Sequence, residues 1–277
     1  MARAADERQQ SLLQTVVAVV SALGIGAGGL LFGTALTVLT LVILQFGVGL
    51  NLTTTHILVL GLIFVQGVGC AGVALAYVRF RPRIASGIRD LLGIDGPFVE
   101  FDIPASVPSF RDVAVVVVGY FLALAAAIGG SLLASQLAVD TGTNSAAEVG
   151  MENPEIILLL IPASLLLVGP GEELLFRGVV QGRIRTVFNP VVGILVPSVA
   201  FAGLHWFALS GGSTAGNLFV VSLLVLPALV FGVSYEYTDN IVVPSLIHGF
   251  YNATLFTGLY FSVVYADQTV QSALLAL

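Results

Sequence analysis

Apolar residues gather along the chain into seven long stretches, at about 14–48, 55–78, 112–137, 154–186, 190–208, 216–235 and 241–263, and charged residues collect between them. Each stretch holds roughly 20 residues or more, and a helix rising about 1.5 Å per residue then crosses a hydrocarbon layer about 30 Å thick. Barrel strands would show short segments of alternating polarity instead. The pattern predicts an all-α, polytopic transmembrane helical bundle of about seven spans. The first stretch is the longest, and "LGIGAGG" (Leu23–Gly29) is where it would divide into an interfacial helix and a true span. The fourth opens with Asn153 as a cap, Pro154 at the first helical position and Glu155 in the first turn. Asn189-Pro190 opens the fifth in the same way.

Composition closes off the soluble alternatives. The chain is 57% apolar and 9% charged, with a mean hydropathy of +1.02, which leaves no room for a soluble domain. "MARAADERQQ" carries both charge signs and precedes too long an apolar run, so a signal peptide is not expected. Cys70 is the single cysteine, which removes disulfide frameworks and cysteine-based zinc sites. All ten basic residues are arginines. Arg3 and Arg8 precede the first span, Arg79, Arg81, Arg83, Arg89 and Arg111 lie between the second and third, and Arg183 and Arg185 end the fourth. With seven spans and a cytoplasmic N-terminus, all of these fall on the cytoplasmic side, whereas the opposite loop 138–153 carries Asp140, Glu148 and Glu152. A multi-pass protein of the plasma membrane is expected, in contact with membrane lipid and with no nucleic-acid partner. The polar segment 84–111 is expected as a cytoplasmic loop with an interfacial helix. Three regions follow: 1–110, with two spans and the loop; 111–265, the core; and 266–277, a tail.

"GPGEELLFRG" (Gly169–Gly178) sets Glu172, Glu173 and Arg177 within the fourth span. A charge at membrane depth costs a few kcal/mol unless partnered or wetted. Glu173 and Arg177 stand at i,i+4 with the acid N-terminal, the favourable order for a helical pair. Glu172 lies about 100° around the helix from Glu173 and is left without a local partner. Gly169-Pro170-Gly171 weakens the helix and lets other groups approach. "FAGLHWF" puts His205 in the fifth span, and "HGFYNATLF" puts His248 and Asn252 on one face of the seventh. At about 1.5 Å per residue, Glu172, His205, His248 and Asn252 fall into one layer, roughly 10–22 Å from their helix ends and nearer the cytoplasmic side. A carboxylate and an imidazole can hold and deprotonate a water. A second imidazole and a carboxamide supply donors for an oxyanion. No serine or cysteine stands beside a histidine as a nucleophile, so activated water is the expected reagent.

"EELLFR", Phe201–His205 and His248–Asn252 match EExxxR, FxxxH and HxxxN in order. In this the chain resembles the CPBP family, the type II CAAX prenyl endopeptidases also called Abi-domain or bacteriocin-processing membrane proteases. The resemblance implies an intramembrane endopeptidase acting on a membrane-associated or lipidated protein or peptide. Glu172 with His205 would activate the water, His248 and Asn252 would stabilise the oxyanion, and Glu173 and Arg177 would support the site. No cofactor is expected. The alternative is a divalent metal such as zinc held by Glu172, His205 and His248, although HExxH spacing is absent. Two other functions compete: a non-proteolytic scaffold or immunity-type protein that keeps the site, and a transporter, which would favour repeated halves that the sequence does not display.

Overall fold

The computed structural model of the protein describes residues 2–93 and 101–265; the tail 266–277 lies outside the described residues, as does part of the expected loop. The long helices are α1 (Ser11–Gly47, the membrane-length part of a helix that begins at Ala2), α2 (Thr54–Ile84, running on to Leu92) and α3 (Phe110–Gln136). After a short strand β1 (Thr143–Asn144) and a short helix α4 (Ser145–Glu152) come α5 (Pro154–Arg185), α6 (Pro190–Ala208), strand β2 (Leu209–Ser210), α7 (Thr214–Thr238) and α8 (Val242–Tyr265). Six of these, α1 to α3 and α5 to α7, are long and apolar enough to cross a membrane. The seventh expected stretch forms α8, 24 residues long, which is not among those six. Its polar positions, His248 and Asn252 among them, keep it below the apolar content of the others.

The outward faces explain why lipid is the solvent. Leu31, Phe46, Leu122, Leu166 and Val199 are large, apolar and exposed, on α1, α3, α5 and α6. Surface of this kind on every outer helix is what a water-soluble bundle excludes. The chain is thus an all-α, multi-pass integral membrane bundle.

α5 runs through the centre. From Gly169 to Gln181 nearly every residue is buried, and Leu175, Phe176, Val179, Val180 and Ile184 pack with Ala22 of α1, Cys70 and Ala74 of α2, Phe201 of α6 and Ala228 of α7. A second core joins α3, α7 and α8 through Val116, Ala123, Phe231, Val243, Ile247 and Tyr251.

Two local expectations are corrected. Leu23–Gly29 does not divide α1, which is one continuous helix there. Its small residues serve packing: a Cβ at Gly29 would stand 2.5 Å from the backbone oxygen of Gly69, and one at Gly69 would stand 2.5 Å from that of Gly29. Only two glycines let α1 and α2 approach so closely. Asn153 does not cap α5 with its side chain, because its amide donates instead to the carbonyl of Val149 in α4. Asn189 does cap α6, accepting from the Val192 N–H at 3.1 Å. The 84–111 segment begins as a continuation of α2 rather than as a separate helix, and Pro82 is accommodated within it.

Both ends of the bundle are tied. At one end β1 and β2 pair antiparallel, Thr143 opposite Ser210 and Asn144 opposite Leu209. At the other, Asn240 in the α7–α8 turn accepts from the Ser106 N–H and donates to the Ser106 carbonyl, both at 3.1 Å. The Ile241 N–H donates to the Pro104 carbonyl at 2.9 Å. Asp239 reverses the chain there in the left-handed region, φ 49°. These contacts fix where α8 starts, and so the height of His248.

Candidate active site

The two glutamates sit where α5 changes its winding. The α-helical turn Gly169–Glu173 lies between two π-helical stretches, Ser164–Val168 and Leu174–Gln181. Such bulges rotate the residues beyond them and recur at functional sites. The glycines beside Pro170 admit the neighbouring helices. A Cβ at Gly169 would lie 2.8 Å from the Ser245 carbonyl oxygen and 2.9 Å from the Gly249 nitrogen, both on α8. A Cβ at Gly171 would lie 2.6 Å from the Gln66 backbone oxygen on α2. The sequence expected a weakened helix at this point, and close approach of the neighbours is what the weakness serves.

Glu173 is the hub. It is fully buried; Oε2 accepts from Arg177 Nε at 2.9 Å, and Oε1 accepts from His248 Nδ1 at 2.9 Å. Since a carboxylate only accepts, His248 carries a proton on Nδ1 and turns Nε2 the other way. Nε2 stands 3.9 Å from Glu172 Oε2. Phe231 stacks on the His248 ring at 4.7 Å between centroids and 15° between planes, and Phe201 meets it edge-on at 5.8 Å. Arg177 is also fully buried: Nη1 donates to Ser198 Oγ at 3.3 Å, the Ser198 hydroxyl donates to the Ala228 carbonyl, and Phe201 lies 5.3 Å from the guanidinium carbon. The acid and base expected to pair on one helix do so, and the pair also orients an imidazole from another.

Glu172 faces elsewhere, as its position around the helix predicts. Its Oε1 accepts from Gln66 Nε2 at 2.8 Å, while Oε2 is buried without a hydrogen-bond partner. His205 begins the 3₁₀ turn His205–Ala208 that ends α6. Its Nδ1 donates to the Phe201 carbonyl at 2.9 Å, so in the neutral ring Nε2 is an acceptor. Its ring lies 4.6 Å from that of Phe201, which therefore touches both imidazoles. Asn252 is half-buried, one turn beyond His248. Glu173, Arg177 and His248 are thus joined by hydrogen bonds, and Glu172 stands 3.9 Å from His248. His205 reaches the group through Phe201, and no side-chain hydrogen bond ties Asn252 to it among the described residues.

Gln66 and Ser198 escaped the sequence reading. Gln66 had one signal, that an uncharged polar group deep in a span needs a partner. Ser198 had none, being one small hydroxyl in an apolar helix.

The donor set bears on a metal. Catalytic zinc takes three protein ligands and keeps a fourth place for water. Glu172 and His248 offer two donor atoms 3.9 Å apart, and among the described residues no group of three or more His, Cys, Asp or Glu is placed to hold a metal ion. His205 is not brought into such a group with Glu172 and His248, so the residues present do not form a zinc set as they stand.

The segment that carries these residues has a counterpart among known protein families. Residues 154–254, which run from the start of α5 past Asn252, match the protein family described as type II CAAX prenyl endopeptidase Rce1-like. Over that segment the chain is similar to the family. An uncharacterized Bacillus subtilis protein, YpbD, is 31% identical over 134 residues, covering 48% of this chain and 61% of that protein, less than two thirds of its length. No solved structure gives a significant match.

Proposed function

We propose that the protein is an intramembrane endopeptidase that hydrolyses a peptide bond of a membrane-associated or lipidated protein or peptide with a water activated by Glu172 and His205. The observation that carries this reading is the free oxygen of Glu172. Glu172 Oε2 is buried and unpartnered, and His248 Nε2 lies 3.9 Å away. Two atoms that far apart are too distant to bond each other, and each can reach one water at about 2.8 Å.

The steps follow from the acceptors and donors. The water gives its proton to Glu172 Oε2, with His205 Nε2 as second acceptor, and its oxygen attacks the scissile carbonyl carbon. Charge develops on the carbonyl oxygen. A His248 ring protonated at both nitrogens directs Nε2–H at that oxygen, and Asn252, one turn on, adds an amide N–H. The proton held by Glu172 then passes to the leaving amine, and the peptide bond breaks. Glu173 and Arg177 hold His248 in place and take no part in bond making. No step passes through a metal.

The arginine distribution supports a site opening nearer the cytoplasmic side of the plasma membrane, with the N-terminus cytoplasmic. The test is cleavage of a membrane-tethered peptide by purified full-length protein in detergent, read by mass spectrometry. Glu172→Gln is expected to abolish cleavage while the protein stays folded and inserted. Unchanged turnover would remove Glu172 from the mechanism, and a scaffold or immunity-type role would take the place of this reading if wild-type protein cuts no member of a broad peptide library.

A further inference from the structure

The N-terminal half of the chain lies outside the matched segment and carries none of the three motifs, yet it supplies one group to the site. Gln66 lies in the π-helical stretch Leu62–Gly72 of α2, 106 positions from Glu172. Its amide donates to Glu172 Oε1, and its own Oε1 is shielded from solvent without a partner. A glutamate has three side-chain torsions, so a carboxylate held by no donor turns freely and presents either oxygen to the reaction.

We infer that Gln66 is a positioning residue for Glu172: it binds one carboxylate oxygen so that the other faces His248 and the water. This rests on the reading of Glu172 as the base.

The packing around Gln66 has the form such a role needs. The Gln66 backbone oxygen lies so close to Gly171, next to Glu172, that any Cβ on Gly171 would meet it at 2.6 Å. One turn on, α2 is backed by α1 through the Gly29–Gly69 crossing. α1 thus presses α2 onto α5 at the height of the glutamates. Neutral glutamine suits the position. A carboxylate there would repel Glu172, and an apolar side chain would leave Glu172 Oε1 as bare as Oε2.

Two variants of the full-length protein in detergent separate positioning from bulk. Gln66→Met keeps shape and removes the donor. We expect its kcat to fall at least tenfold with KM within about twofold, at every pH. Gln66→Glu should be as poor at neutral pH and regain turnover as the pH falls, because one proton shared between the two carboxyls restores a donor to Glu172. A role in folding alone would lower both variants equally at all pH values and in step with their melting temperatures, and would overturn the inference. So would wild-type kcat in Gln66→Met.

A readout without turnover keeps the two readings apart. The infrared difference between wild type and Glu172→Gln isolates the Glu172 carboxylate stretch. That band should move in the Gln66→Met background. If wild type cuts no peptide and the band still moves, the Gln66–Glu172 positioning stands while the proteolytic reading falls. If wild type cuts and the band stays in place, the positioning falls and the proteolytic reading stands.

Discussion

α5 carries the arginines of two arginine–glutamate pairs, eight residues apart, and the bond lengths of the pairs hardly differ. Arg177 Nε meets Glu173 at 2.9 Å and Arg185 Nε meets Glu236 at 3.0 Å. Their surroundings are opposite. The first pair has no solvent exposure on either side chain, whereas those of the second are 31% and 26% exposed. Distance therefore says little about what each pair does. Where solvent or headgroups reach, a lost partner is replaced at once. In the centre of the bundle nothing replaces it, and the surviving charge is held where ionisation is most costly. The inner pair is also a crossroads: Glu173 holds His248 and Arg177 holds Ser198, so helices α5, α6 and α8 meet in one polar chain.

The comparison is tested most severely by Arg177→Ala. It strands Glu173 in the interior, and we expect a loss of about 3–5 kcal/mol in stability, seen as a lower melting temperature in detergent, with cleavage lost as well. An inactive protein of normal stability would instead put Arg177 into the chemistry. Next in size is Gly169→Ala. The new methyl meets backbone of α8 on two sides, which cannot rotate away as a side chain can. A cost of roughly 1–3 kcal/mol is expected, with turnover reduced further as His248 moves off Glu172. Smallest is Arg185→Ala, expected below about 1 kcal/mol, less still at high salt, and with cleavage intact. If Arg185→Ala proved as damaging as Arg177→Ala, solvent access would not be what separates the two pairs.

Most of the architecture was readable because lipid imposes a coarse rule. A span needs a long apolar run, so each of the seven stretches became a helix, the first starting earlier and the second ending later than its apolar run, and Arg177 sat one turn from Glu173 as i,i+4 spacing requires. The pairing of His248 with Glu173 was not readable, since it depends on how far α8 slides along α5. That slide is set by Gly169, Gly249 and the Asn240 turn. Small residues misled the reading at Leu23–Gly29, because glycine both loosens a helix and lets two helices touch, and sequence alone does not say which. Gln66 was hidden for another reason: its partner is far along the chain and no periodic spacing links them.

Cys70 gains an unplanned use from its position. It is the only thiol in the chain, fully buried, on the helix turn after Gln66 and against Gly171. A thiol-reactive label reaches it only when α2 lifts from α5. The rate of its modification would report how readily that seam opens, so the untouched protein already contains a probe of its own packing.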